Sequence, residues 1–181
     1  MKIINVAMFC SSSDNIDHFY FDEAVKLADI FIDNNINLVY GAGKTGIMGA
    51  ISRRYHERGQ RIIGVIPKKL NKPGIVYKEC AEIIETYTMS ERKSIMFEIA
   101  DAYIALPGGF GTLEEISEVI TLKQLGYFDK PIAIFNTNKF YFDLISFFEK
   151  FFVEKYALET DRDLYFVSDN PKEVFDYIIK Y

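Results

Sequence analysis

Cysteine is scarce in this chain: Cys10 and Cys80 are the two among 181 residues, too few for a disulfide framework. Each lies in or beside an apolar strand-like run, so both read as buried, reduced thiols. The two histidines, His18 and His56, stand at no metal-ligand spacing and sit on expected helices among charged neighbours, so no metal is expected. No apolar run approaches the ~20 residues needed to cross a bilayer. The opening MKIINVAMFCSSS turns polar too soon for a signal peptide, and a cytoplasmic protein is expected. Basic charge is also short: the net charge of −5 excludes a broad nucleic-acid or membrane surface while leaving room for a local pocket that takes a small anion. Repeats, low-complexity tracts and linkers are absent, so residues 1–181 read as one domain.

What is present is an ordinary globular composition, 49% apolar and 26% charged, arranged as strands alternating with helices. Strands are expected at Ile3–Phe9, Ile36–Tyr40, Arg61–Ile66, Ala81–Thr86, Ala102–Leu106, Pro131–Phe135 and Leu164–Val167. Helices are expected from about Asp17 to Asn34, from the Gly41–Gly46 corner to Arg58, over Met89–Ala100 with Ser90 as N-cap, over Leu113–Leu125, over Phe140–Phe152 and over Pro171–Ile179. Lys68–Tyr77 shows no period and reads as a loop. The unusually aromatic Phe140–Phe152 segment suits either a core helix with a wide buried face or a subunit contact. The pattern predicts an α/β fold, a Rossmann-like parallel sheet of about seven strands with helices on both faces. In such a sheet the strand-to-helix loops open at the strands' carboxyl edge, where ligands bind. The corners Ser11–Asp14, Gly41–Gly46, Thr88–Arg92 and Gly108–Thr112 should therefore crowd one edge.

The stretch DAYIALPGGFGTLEE, Asp101–Glu115, organises the rest. A buried strand runs through Pro107 into Gly108-Gly109-Phe110-Gly111-Thr112 and then a helix. Glycines there allow positive φ and close ligand approach, and the free N–H groups of a helix start attract anions. Gly43-Lys44-Thr45 does not make a P-loop, because the glycine required five residues earlier is Leu38. Gly41-Ala42-Gly43-Lys44-Thr45-Gly46 fits G-x-G-x-x-G, but no acidic residue follows near Arg61–Pro67, so a mononucleotide fits better than a dinucleotide.

Arg92 and Lys93, in the first turn after the fourth strand, would bring positive charge to that edge. Glu115 follows the central strand at the same edge. An arginine that grips an anionic substrate, with a carboxylate that steadies an oxocarbenium-like carbon and activates water, suffices for N-glycosidic hydrolysis. Plainer readings stand beside these. Thr112–Glu115 also spells a capping box, Ser90–Lys93 an ordinary solvated helix start, and the Gly41 corner a tight turn.

Pro107-Gly108-Gly109-Phe110-Gly111-Thr112-Leu113-Glu114-Glu115 matches PGGxGTxxE, and Met89-Ser90-Glu91-Arg92-Lys93 resembles M-x-x-R-K. Both motifs stand at the spacing of the LOG ("lonely guy") family, which the chain resembles from its first strand to about Phe148. The resemblance implies a homodimeric, cofactor-free Rossmann-like enzyme similar to the cytokinin riboside 5′-monophosphate phosphoribohydrolases. These cleave AMP or an N6-modified adenosine monophosphate to the free base and ribose 5-phosphate. It implies Arg92 and Glu115 as the catalytic pair, and Gly43, Lys93, Gly108, Gly109, Phe110, Gly111 and Thr112 as substrate and phosphate contacts. The alternative is a nucleotide-binding sensor or carrier of the wider superfamily that binds without turnover. Ser11, Ala42, Lys44, Gly74 and Ser90 depart from the family pattern and bear on which base is taken. The label "lysine decarboxylase" carried by many members finds no lysine here in a pyridoxal-phosphate setting.

Overall fold

A computed structural model describes residues 2–181. In chain order its strands are β1 (Asn5–Phe9), β2 (Asn37–Tyr40), β3 (Ile62–Pro67), β4 (Glu82–Thr86), β5 (Ala102–Ala105), β6 (Ile132–Phe135) and β7 (Phe166–Ser168). The helices are α1 (His18–Asp33), α2 (Gly46–Glu57), α3 (Met89–Ile99), α4 (Phe110–Gln124), α5 (Phe142–Val153) and α6 (Pro171–Lys180). The strands form one sheet in the order β4-β3-β2-β1-β5-β6-β7, with every neighbouring pair parallel.

Alternation along each strand explains why helices cover both faces. Val6 and Met8 of β1, Leu38 and Tyr40 of β2, and Ile104 of β5 join a core with α1, α2 and α6. Ala7, Phe9, Val39, Tyr103 and Ala105 point the other way, into a core with α3, α4 and the apolar face of α5. From β1 the chain winds outward to β4, then returns to lay β5 on the other side of β1. That reversal opens a crevice between the carboxyl ends of β1 and β5.

Side chains cap three of the six α-helices. Asp17 accepts from Phe19 N at the start of α1, Thr88 from Glu91 N at α3, and Asn170 from Lys172 N and Glu173 N at α6. Thr88, rather than the expected Ser90, caps α3 because it is the residue whose hydroxyl reaches an N–H three positions on. At the other end of α3, Lys130 Nζ donates to the carbonyls of Phe97 and Ala100 at 2.8 and 2.7 Å. That gives the Asp129-Lys130-Pro131 turn a structural task.

Several boundaries move from the sequence expectation. Helix α4 starts at Phe110 rather than Leu113, and α5 begins past Phe140 and Tyr141. The last strand starts two residues later than expected and ends one later, after a 3-10 segment at Glu159–Leu164 that the periodicity did not reveal. The Lys68–Tyr77 loop is pinned to the second glycine corner: Lys44 N donates to Ile75 O, Tyr77 N donates to Ala42 O, and Gly43 bridges Val76.

Ala42 takes the left-handed region, φ +59°, with its methyl buried beside Ile66 and Val76. A Cβ added at Gly64 would lie 2.8 Å from that methyl. Gly64→Ala should therefore cost about 1–3 kcal/mol by overpacking. Adding Ala42→Gly should recover most of it, since the substitution removes the obstructing carbon. Urea unfolding of the two single variants and the double variant checks this, and strictly additive losses would contradict the contact.

Candidate active site

The β1/β5 crevice holds a cavity of about 330 Å³ lined by Cys10, Ser11, Ser12, Ser13, Met48, Arg92, Gly109, Phe110, Gly111, Thr112 and Glu115. Three of the four expected corners contribute directly, and the fourth, Gly41–Gly46, lies behind Arg92.

The two glycine corners differ in what their N–H groups face. At α2, Gly46 N donates to the Asp14 carboxylate at 2.7 Å and Met48 N donates to Ser11 O at 3.1 Å. Gly43 is buried in its bridge to Val76 and does not line the cavity, and Lys44 is exposed away from it. That corner is spent on holding the Ser11–Asp14 loop. At α4 the N-cap is Gly109, which brings no side-chain acceptor. The start of α4 thus turns its partial positive charge, roughly half an elementary charge, toward the cavity. The glycines of this corner do not use positive φ, contrary to the sequence expectation. What they offer is space: a Cβ on Gly109 or Gly111 would meet nothing within 4 Å, so the backbone lies open to a ligand. Gly108 stands just behind, its Cα packed where a Cβ would strike the Thr112 hydroxyl.

Arg92 and Glu115 meet inside the crevice. Arg92 Nη2 lies 2.9 Å from Glu115 Oε1, with side chains 9% and 4% exposed. Arg92 Nε donates to Val65 O at 3.3 Å, and Gly41 leaves the guanidinium its room, since a Cβ there would come within 2.3 Å of Nη2. Burial pushes the Glu115 carboxyl above its ordinary value; Arg92 pulls it back, Glu114 adds to the rise and Lys93 opposes it. Cys10, raised by burial first and by the Glu115 charge second, stays a thiol. The capping-box reading of Thr112–Glu115 does not hold. Helix α4 has already begun at Phe110, so Thr112 lies inside it and Glu115 turns to Arg92.

Lys93 goes elsewhere. Its ammonium pairs with Glu114 and Glu118 on α4, and it does not line the cavity. Of the expected site residues the fold brings together Arg92, Glu115, Gly109, Phe110, Gly111 and Thr112, with Gly108 adjoining, and leaves Gly43 and Lys93 outside. The sequence reading missed Cys10, Met48 and the bare Gly41 as parts of the site. The position of Cys10 directly after β1 was the available signal.

The chain is similar in sequence and in fold to known proteins. Residues 48–178 match the family model described as "Possible lysine decarboxylase". The chain is 39% identical over 176 residues to the cytokinin riboside 5′-monophosphate phosphoribohydrolase LOG2 of Arabidopsis thaliana, covering 97% of this chain and 83% of that protein. It is 40% identical over 173 residues to LOG1 of the same plant, covering 96% and 81%. Among solved structures, the molybdenum cofactor carrier protein of Chlamydomonas reinhardtii superposes with a TM-score of 0.71 at 16% identity, over 97% of this chain and 99% of that one. The molybdenum cofactor binding protein of Rippkaea orientalis gives 0.71 at 18%, over 97% and 94%. At such identities these two speak for the fold alone.

A buried ion pair is costly to halve and cheaper to replace whole. Arg92→Met, which leaves Glu115 buried without its cation, should destabilise the chain by about 3–5 kcal/mol at neutral pH. Arg92→Met with Glu115→Leu should regain most of that. Equilibrium denaturation of the three proteins measures the coupling, and equal losses in the single and double variants would count against the pair.

Proposed function

The chain belongs to the LOG family, and from that premise we propose that it hydrolyses the N-glycosidic bond of AMP or an N6-modified adenosine 5′-monophosphate. The products are the free base and ribose 5-phosphate. The observation that carries the reading is the Arg92–Glu115 pair, 2.9 Å apart, in the same cavity as the uncapped start of α4. The 5′-phosphate sits on the Gly109–Thr112 N–H groups, which have the charge and openness for it. The ribose then lies against Arg92 and Glu115. As the C1′–N bond lengthens, its electron pair leaves with the base, which takes up a proton. The Glu115 carboxylate stabilises the positive charge growing at C1′ and accepts a proton from the water whose oxygen bonds to that carbon. Arg92 serves twice: it binds the anionic substrate and keeps a buried carboxylate ionised.

Decarboxylation, the chemistry in the family model's description, finds no support. Lys93, the buried lysine beside the site, loses some basicity to burial, yet the hydrogen bonds it donates to Glu114 and Glu118 more than restore it. A Schiff-base lysine needs the opposite. A carrier that binds without turnover would have no use for an ionised glutamate at the cavity wall.

A second copy of the chain completes the assembly in this reading. An apolar groove of about 490 Å³ runs between α4 and α5, lined by Leu113, Ile120, Leu144, Phe147, Phe148 and Phe151 among others. It starts one helical turn from Phe110 at the cavity rim, and Phe147 is 53% exposed. No helix among the described residues is long and apolar enough to cross a membrane. The two free thiols suit the reducing cytoplasm, where the reading puts the reaction.

Incubation with AMP and isopentenyl-AMP should release free base. Glu115→Gln should lower kcat by at least about 100-fold while ribose 5-phosphate still binds. Because the raised Glu115 carboxyl must be ionised, kcat/KM should fall on the acid side with a midpoint above the ordinary carboxylate range. Release unchanged in Glu115→Gln would remove the carboxylate from the mechanism. Light scattering should give twice the chain mass, and Phe147→Glu should shift it toward the monomer.

A further inference from the structure

We propose that Lys93 is a positioning residue: by binding Glu114 and Glu118 it clamps α3 to α4 and so holds Glu115 against Arg92 without touching the substrate phosphate. The inference deepens the functional reading above and rests on it.

The sheet sets these helices next to each other, but it does not fix which side chains meet between them. Helix α3 packs across β1 to β4 and α4 on β1 and β5, so the two lie side by side over β1 on one face of the sheet. Their junction is made by side chains. Neighbouring residues on a helix project about 100° apart, so Arg92 and Lys93 diverge, as do Glu114 and Glu115. Arg92 takes Glu115 on the cavity side, while Lys93 takes Glu114 and its i+4 neighbour Glu118 on the outer side. Two adjacent cations on one helix thereby grip the other helix along more than a turn. Lys93 is itself 10% exposed, and Glu118 Oε2 is a buried oxygen that its ammonium faces.

The clamp also sets the charge around the catalytic carboxylate. The groups that act on Glu115 are Arg92 and Lys93 from α3 and Glu114 from its own helix, with the Cys10 thiol at the end of β1 close by. Without Lys93, Glu114 and Glu118 stand uncompensated next to Glu115 and disfavour its ionised form. A phosphate ligand would behave otherwise: its loss would weaken product binding and leave the carboxylate in place.

The experiment compares the full-length native chain with Lys93→Met, Lys93→Arg and the pair Glu114→Gln/Glu118→Gln. Its readouts are kcat and KM for AMP, Kd for ribose 5-phosphate, and the pH profile. Lys93→Met should lower kcat by about 10–100-fold through misplacement of Glu115. It should leave the ribose 5-phosphate Kd within about twofold and move the acid limb to higher pH. Lys93→Arg should restore most of kcat. The double glutamine variant, which also covers the case of a Lys93→Met chain that does not fold, should lose kcat too but move the acid limb to lower pH. A tenfold or greater loss of ribose 5-phosphate affinity in Lys93→Met with kcat retained would overturn the proposal, making Lys93 a phosphate ligand. So would kcat unchanged in both Lys93→Met and the double variant. A native protein that releases no base from any nucleotide would sink the functional reading instead. In that case the ribose 5-phosphate Kd and an NMR titration of Glu115 still decide what Lys93 does.

Discussion

The structure depends on keeping a guanidinium and a carboxylate together out of water. Each buried ion costs several kcal/mol of hydration, and attraction repays this only when the geometry is tight and the remaining polar atoms are met. The surroundings of Arg92 answer that requirement, while Glu115 Oε1 is held by the charge of Arg92 alone. Val65 lends a carbonyl to Nε, and Gly41 withholds a side chain so that Nη2 fits. The result is a carboxylate that burial pushes above its ordinary value while Arg92 opposes the rise. A general base works best in that balance.

The helix starts divide the same way. Helices α1, α3 and α6 carry side-chain acceptors, and α2 takes an aspartate and a carbonyl from the loop after β1. Helix α4 has glycine at its N-cap and no side-chain acceptor there, so its unspent donors face the crevice. Stability given up at one helix start becomes affinity for an anion, while the other starts hold the scaffold still. Two corners of similar sequence, Gly41–Gly46 and Gly108–Thr112, thus do opposite work.

Much of this was legible in the residues. Strands buried on both faces read as unbroken apolar runs, and strand–helix alternation then implied the parallel sheet and the shared edge. PGGFGTLEE and the Arg92-Lys93 pair pointed to the site. What stayed hidden was the identity of partners. A threonine followed three residues later by glutamate spells a cap wherever it occurs, and only the true start of α4 at Phe110 shows that Glu115 is free to reach Arg92. The diversion of Lys93 to Glu114 and Glu118 depends on where one helix lies against another, which local pattern does not encode. The role of Gly43 as a tether for the Lys68–Tyr77 loop required seeing Val76 beside it.

The pairing of β1 with β5 has a consequence for biosynthesis. The Asp101 carboxylate that anchors the start of β1 accepts from Ile4 N, 97 positions earlier. At ribosomal speeds of roughly 5–20 residues per second, the first strand therefore waits on the order of 5–20 seconds for its inner neighbour. During that interval β1 has one flank covered by β2 and the other bare. Non-local pairings of this kind slow folding and leave strand edges open to mispairing. The crevice comes into being only once β5 and α4, which close it, have been made.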